Sequence, residues 1–255
     1  MDFVAKNHRT STQLSAGFCL VLLVLVFGES YAAPRQQLNC ENFMEKIDKW
    51  SNELYVITDR LTPIPKTQEE MKDIYCTKSK AASRKLRQHR PCLKAFPSQV
   101  LNVIISGARK TLRNVCDTVE SREEFVERSQ CLQDPVLHNK VVDCQDSYIA
   151  QMEYVRDNVT NMDHKIPYTC CYYWETKSCI LGLVKSHCPT ASLEYTENHM
   201  NDLFSETTDL LCNKWEADSV NCKKNLLPIK LSRNAMKSKK SSSFVRPNLE
   251  IYTQT

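Results

Sequence analysis

The sequence predicts an all-α fold: a disulfide-stapled bundle of six to seven helices followed by a disordered basic C-terminal tail. Three observations carry this. Glycine is scarce, with Gly17 and Gly28 in an N-terminal leader and only Gly107 and Gly182 in the rest of the 255 residues. A β or α/β chain of this size needs many tight turns at positive φ, which glycine normally supplies. Apolar residues recur at steps of three and four, with no period-two alternation. Thirteen cysteines are present, an even twelve once Cys19 leaves with the leader.

The leader comes first. Lys6, His8 and Arg9 precede an apolar run from Gly17 to Phe27, and small residues follow at Ser30, Ala32 and Ala33. A basic flank, an apolar core and a small-x-small site describe a secretory signal peptide over 1–32, cleaved after Ala32. The run is too short for a membrane anchor, which needs about 18 apolar residues. No later stretch could span a bilayer, so a secreted, extracellular chain without a stable membrane anchor is expected.

The helices follow in order. Phe43, Ile47, Trp50 and Leu54 form one face of the first. Thr67 and Glu70 make a T-x-x-E capping box for the second, which runs through Met71, Ile74 and Tyr75 to a break at Pro91. The third begins near Pro97-Ser98 and carries Leu101, Ile104, Ile105, Ala108, Leu112 and Val115. Ser121 with Glu124 reads as the capping box of the fourth. Asp134-Pro135, a cap plus a first-turn proline, opens the fifth, with Leu137, Val141, Cys144, Tyr148, Met152, Val155 and Val159 on one face. The sixth is expected from about Pro167 to His187, and Pro189-Thr190 opens a seventh.

Charge divides the chain. Residues 223–255 hold eight Lys or Arg and one Glu, and since the chain carries +4, the remainder carries −3. Few large apolar residues and Ser241-Ser242-Ser243 complete the composition of a disordered segment. This places a helical disulfide-rich domain at 33–222 and the basic tail at 223–255. Composition offers no reason for the tail's closing Leu249-Glu-Ile-Tyr-Thr-Gln-Thr.

Cys40, Cys76, Cys92, Cys116, Cys131, Cys144, Cys170, Cys171, Cys179, Cys188, Cys212 and Cys222 read as six bridges in an oxidising compartment. No C-x-x-C pair occurs, so no metal site is expected. The adjacent Cys170 and Cys171 point about 100° apart on a helix and should reach different partners. If helices five and six form a hairpin around Asp163, Cys144 lies near Cys179. If six and seven turn at Pro189, Cys212 lies near Cys170 or Cys171. Helix six is therefore expected to be central.

Catalytic equipment is not evident. Cys170-Cys171-Tyr172-Tyr173-Trp174-Glu175 is similar to the C-C-x-x-H-D helix of secreted phospholipases A2. Trp174 stands where the histidine base belongs, and it cannot accept a proton. Trp174 is better placed as a buried anchor beside the disulfides. His89, His138, His164, His187 and His199 match no metal or hydrolase motif, and surface or capping roles are expected for all five. Neither a catalytic residue nor a cofactor is expected. Asn158-Val159-Thr160 is an N-glycosylation sequon at the end of the fifth helix. Asn114-Val115-Cys116 is a rarer form, discounted because its cysteine is expected to be bridged.

Cys92-Leu93-Lys94-Ala95-Phe96, the Val100–Cys116 helix, Cys131-Leu132 and Cys144–Tyr148 resemble the 27-kilodalton haemolymph glycoproteins of arthropods. So do Ile166-Pro167-Tyr168-Thr169-Cys170-Cys171 and the Cys179…Cys188 spacing. The resemblance covers about Cys40 to Cys222 and implies a secreted body-fluid glycoprotein without catalytic residues; the basic tail is no part of it. The expected function is therefore non-enzymatic, with binding of a small apolar ligand in a cavity between helices, or of an extracellular protein partner. The alternative is a recognition or matrix-interacting module that docks anionic glycans through residues 78–90 and the tail. Nucleic acid is not expected as a partner of a secreted chain.

Overall fold

A computed structural model describes residues 38–55, 58–217, 219–225, 231 and 239–253; the signal peptide expected at 1–32 lies outside them. The described residues contain nine helices and no strand. In order these are α1 (Phe43–Leu54), α2, α3 (Ala95–Cys116), α4 (Val119–Arg128), α5 (Pro135–Asn158), α6 (Met162–His187), α7 (Thr190–Leu211), α8 (Val220–Asn225) and α9 (Val245–Thr253). Helix α2 is continuous but changes winding: an α turn Gln68–Glu70, a π-helical stretch Met71–Cys76, then α-helix Thr77–His89.

Local chemistry accounts for most of the ends. The Asp134 side chain accepts from the Val136 N–H and Pro135 occupies the first turn of α5, as the sequence suggests. Thr67 accepts from the Glu70 N–H, but the Glu70 carboxylate takes the Lys66 N–H instead of closing a reciprocal box. The cap of α4 is Thr118 with Ser121, not Ser121 with Glu124, so the helix starts earlier than its sequence signal. Helix α6 likewise starts at Met162, capped by Asn161, with Pro167 inside it. Pro167 is the sixth residue of α6, past the four N–H groups that a helix start leaves free, so the helix forgoes one intrahelical bond there.

The twelve cysteines among the described residues are all bonded, as Cys40–Cys92, Cys76–Cys116, Cys131–Cys188, Cys144–Cys179, Cys170–Cys212 and Cys171–Cys222. Cys144 meets Cys179 across the α5–α6 hairpin, and Cys170 rather than Cys171 takes Cys212. Helix α6 and the residue after it supply one partner to each of the last four bridges, which makes α6 the hub of its region. The π winding of α2 lets consecutive Tyr75 and Cys76 both face inward, and both are buried.

No bridge crosses from residues 40–116 to residues 131–222. The chain is therefore two covalently stapled halves with no disulfide across the seam between them, where packing is joined by hydrogen bonds and ion pairs such as Lys110 with Asp202. Two contacts of that seam stand out. Gly107 of α3 lies against the α7 backbone so closely that an added Cβ would stand 2.1 Å from the Leu203 carbonyl oxygen. Gly182, exposed in α6, has nothing within 4 Å of such a Cβ. Gly107→Ala is expected to destabilise by about 1–3 kcal/mol through overpacking, because the obstructing atom is backbone and the helices must part. Gly182→Ala is expected to stabilise by about 0.5–1 kcal/mol through helix propensity. Paired urea melts check both signs.

The second contact corrects the expected tail. Residues 239–253 are not a disordered extension of a domain ending at Cys222; they fold into its core. Val245, Leu249 and Ile251 are fully buried and Tyr252 is 1% exposed. Helix α9 packs on α1 and α3 of the first half and on α5 of the second. The segment leading into it is clamped by two buried carboxylates. Asp48 of α1 accepts the backbone N–H and hydroxyl of Ser242 and Ser243 at 2.8–3.0 Å. Glu153 of α5 accepts the Lys240 and Ser241 N–H groups at 2.7–3.0 Å. Two of the tail's cations are also engaged: Lys239 pairs with Asp146, and Arg246 with Glu250, which also pairs with Arg156. The apolar side chains satisfy the core, while averaging over 33 residues let the charges dominate the composition. Residues 226–230 and 232–238 lie outside the described residues.

Candidate functional site

Where the two halves meet, they leave a cavity of about 190 Å³. The first half contributes Tyr55 at the end of α1, Ile64 of the following loop, Tyr75 of α2, and Val100 and Ile104 of α3. Phe125 of α4 lies on the segment linking the halves. The second half contributes Tyr148 of α5, Tyr173 of α6, and Tyr195, His199, Leu203 and Phe204 of α7; Phe244, Asn248 and Tyr252 close it from the C-terminal segment. The amphipathic faces that build the core thus also build the cavity wall.

The wall is aromatic and mutually braced. Tyr55 lies 5.0 Å from Phe244 and 6.4 Å from Phe204, ring centre to ring centre; Phe204 and Phe244 are 5.6 Å apart. Tyr75 stacks on Phe125 at 6.1 Å. Tyr148 donates to Asn248 at 3.3 Å, and Asn248 donates to the Phe244 carbonyl at 2.7 Å. Burial pushes the Tyr55, Tyr75, Tyr148 and Tyr173 hydroxyls well above the ordinary phenol range, so all remain protonated donors.

A smaller, more polar cleft of about 160 Å³ lies beside the main cavity and shares Ile64, Leu132 and His138 with it. The loop containing Ile64 is pinned from outside. Arg60 donates to Asp143 at 2.8 Å, Asp146 at 3.0 Å and Asn139 at 3.1 Å, all on α5, and Gln133 donates to the Pro65 carbonyl at 3.0 Å.

The sequence-selected residues fall in different places. His164 and His187 are exposed, as expected. His89 is half-buried, with Trp50 at 4.7 Å and Phe43 at 6.0 Å. His138 is buried and His199 lines the cavity, so a surface role fails for both. Phe125 of α4, packed beside His199, comes from another helix, which local motifs do not report. Trp174 is half-buried, not the fully buried anchor expected; its indole N–H donates to the Trp215 carbonyl at 2.7 Å and Lys177 covers its ring. Asn158 is exposed at the last residue of α5. Asn114 donates to Asp202, and the neighbouring Cys116 is bridged. Of the basic stretch, Lys80 pairs with Asp117 and Lys85 with Glu53, while Lys78, Arg84 and Arg87 are exposed. Among the described residues, no three His, Cys, Asp or Glu side chains converge as a metal site, and no helix is long and apolar enough to cross a membrane.

His199 gives the site a pH signature. Desolvation lowers its imidazole to about 4, against a smaller opposing pull from Asp202. An unfolded histidine takes its proton near pH 6.5, so the folded chain binds fewer protons below that value. The contribution of His199 to stability is thus complete above about pH 6.5 and declines as pH falls towards 4. His199→Gln is expected to flatten the fall in melting temperature between pH 6.5 and 5; an unchanged slope would show that this ring is solvated.

The Tyr55, Tyr75, Phe204 and Phe244 contributions to one cavity were not visible in sequence. Tyr55, Tyr75 and Phe204 belong to ordinary apolar faces, and Phe244 falls in the tail that composition reads as disordered. Comparison of the chain with protein-family models, with curated proteins and with solved structures finds no match.

Proposed function

We propose that this chain is a secreted, non-enzymatic glycoprotein of haemolymph or a similar body fluid that carries a small apolar molecule in the cavity between its halves. The observation that carries the reading is the cavity itself. Its wall is overwhelmingly apolar and aromatic, and a close-packed interior does not leave such a space without reason. The six disulfides fit an oxidising compartment and staple each half while none of them crosses the seam between the halves. Ligand passage then requires packing at the seam to loosen, and no bridge to break.

Native mass spectrometry of protein purified from its source is expected to show a co-purifying small molecule that is lost on denaturation. Ligand-free protein that also fails to bind added apolar probes would overturn the carrier reading. The same sample tests its covalent state. A mature N-terminus at Ala33 and a mass loss on enzymatic deglycosylation, abolished by Asn158→Gln, are expected; an unglycosylated product would remove the glycoprotein part. Glycan docking has less to support it, because Lys239 and Arg246 are occupied by carboxylates within the fold. Any salt-sensitive heparin retention should accordingly fall on Lys78, Arg84 and Arg87.

A further inference from the structure

We infer that the groove between α2 and α3 binds a sulfated glycan chain, held by guanidinium groups that the two helices contribute together. The inference rests on the secreted location proposed above and not on the cavity or its ligand.

Two anchors set these helices side by side. The Cys76–Cys116 bridge joins them at one end, with 5.8 Å between Cα atoms. At the other end the Arg90 guanidinium donates to the Asn102 side chain at 2.8 Å. The anchors stand 14 residues apart on each helix. That is about 21 Å of rise on both, so the helices run antiparallel in register. A helix turns about 100° per residue, which fixes the faces. Arg87, Lys80 and Arg84 lie about 20°, 40° and 80° round α2 from Cys76. Arg109 and Arg113 lie about 20° and 60° round α3 from Cys116. All five are exposed, whereas the flanks on the other side of the two cysteines, with Ala82 and Leu86 on α2 and Ala108 and Leu112 on α3, are buried. The five cations therefore share the solvent side of one groove.

Their charge is poorly matched within the fold. Lys80 pairs with Asp117 at 3.1 Å, but Arg84, Arg87, Arg109 and Arg113 pair with no carboxylate among the described residues. Carboxylates of the flanking helices are taken by other groups: Glu53 by Lys85, and Asp202 by Lys110 and Asn114. Lys80 with Arg84, and Arg109 with Arg113, are like charges four residues apart, an arrangement that destabilises a helix. The bridge holds the two repelling faces together, and a polyanion lying between them removes the repulsion.

The residue types narrow the partner. A guanidinium presents a planar fork of N–H donors that engages two oxygens of one anionic group. A protein interface centres on apolar and aromatic side chains, and a membrane-binding helix needs an apolar face beside its cations. The groove supplies neither, because no large apolar side chain of residues 77–92 or 98–116 is exposed. What fits is a linear partner that carries its anions on a polar frame. For a secreted chain that partner is a sulfated glycan.

The test titrates the mature disulfide-bonded protein with a heparin oligosaccharide of defined length, its desulfated counterpart, and vesicles containing phosphatidylserine. Wild type is expected to bind the sulfated oligosaccharide and not the desulfated one, with affinity falling steeply as salt rises. Arg84→Ala with Arg87→Ala, and Arg109→Ala with Arg113→Ala, are each expected to lower affinity about ten-fold and to flatten the salt dependence. Lys140→Ala with Lys185→Ala removes the same charge from exposed sites on α5 and α6 and should change nothing. A cooperative melt shows that each variant is folded; should an alanine pair fail, Arg84→Gln with Arg109→Gln makes the same comparison. No binding of the sulfated oligosaccharide, equal binding of the desulfated one, an α3 pair without effect, an equal loss for the lysine pair, or tighter binding to the vesicles would each overturn the inference. All of these outcomes leave the carrier reading standing.

Discussion

A chain lacking residues 239–255 is expected to lose its cooperative melting transition. The deletion removes five side chains that are at most 9% exposed: Phe244, Val245, Leu249, Ile251 and Tyr252. At about 1.5–3 kcal/mol each this is roughly 8–15 kcal/mol as an upper estimate. The net stability of a domain is about 5–15 kcal/mol. The loss extends beyond area. Asp48 and Glu153 would also lose the backbone N–H and hydroxyl partners that tie α1 and α5 to this segment. The faces of α1, α3 and α5 under α9 would also be exposed together, opening the cavity to water. Leu249→Ala is the graded version, expected to cost about 2–5 kcal/mol while leaving the transition cooperative. Circular dichroism melts and urea titration measure both. A deletion variant melting at the wild-type temperature would show that α9 contributes nothing to the core.

Full reduction is expected to unfold the chain under conditions where the oxidised form is native. The six loops close over 35 to 57 residues, so each bridge contributes about 4 kcal/mol by loop entropy alone. Overlap lowers the increments: Cys170–Cys212 lies almost wholly inside the span of Cys171–Cys222. Even so, the sum exceeds any reasonable net stability. Single-bridge variants separate the halves. Removing Cys76 and Cys116 together should loosen α2 against α3 and leave the α5–α6–α7 region protected from hydrogen exchange. Removing Cys144 and Cys179 should do the reverse, because no bridge transmits the change across the seam. Exchange that rises uniformly in either variant would refute that independence. Non-reducing peptide mapping, with Cys170 found on Cys212 and Cys171 on Cys222, checks the framework directly.

Some of the site could be read in the sequence and some could not. A hairpin of the fifth and sixth helices, assumed around Asp163, places Cys144 near Cys179, and the structure bonds the two across a turn at 159–161. That a ligand space would lie between helices is a general expectation for a stapled bundle, but its position was not legible. Tyr55 is one apolar residue at a helix end until Phe204 and Phe244 come against it. His199 has an ordinary local context, and its lowered affinity for a proton comes from burial, which the tertiary fold imposes. The tail was misread for a physical reason. Lysine and arginine weigh on composition wherever they stand, whereas Val245, Leu249, Ile251 and Tyr252 matter only once α1, α3 and α5 present a groove.

Helix content, the start of α5 at Asp134-Pro135 and the presence of a sulfur framework were settled by short-range chemistry: backbone sterics, capping hydrogen bonds and residue spacing, all written within a few positions of one another. The tertiary arrangement alone decided that Gly107 abuts Leu203, that Ser243 reaches Asp48 across 195 residues, and that two stapled halves meet around an apolar cavity. Those outcomes depend on which helix faces share one interior, a property of the whole chain path that no local pattern encodes.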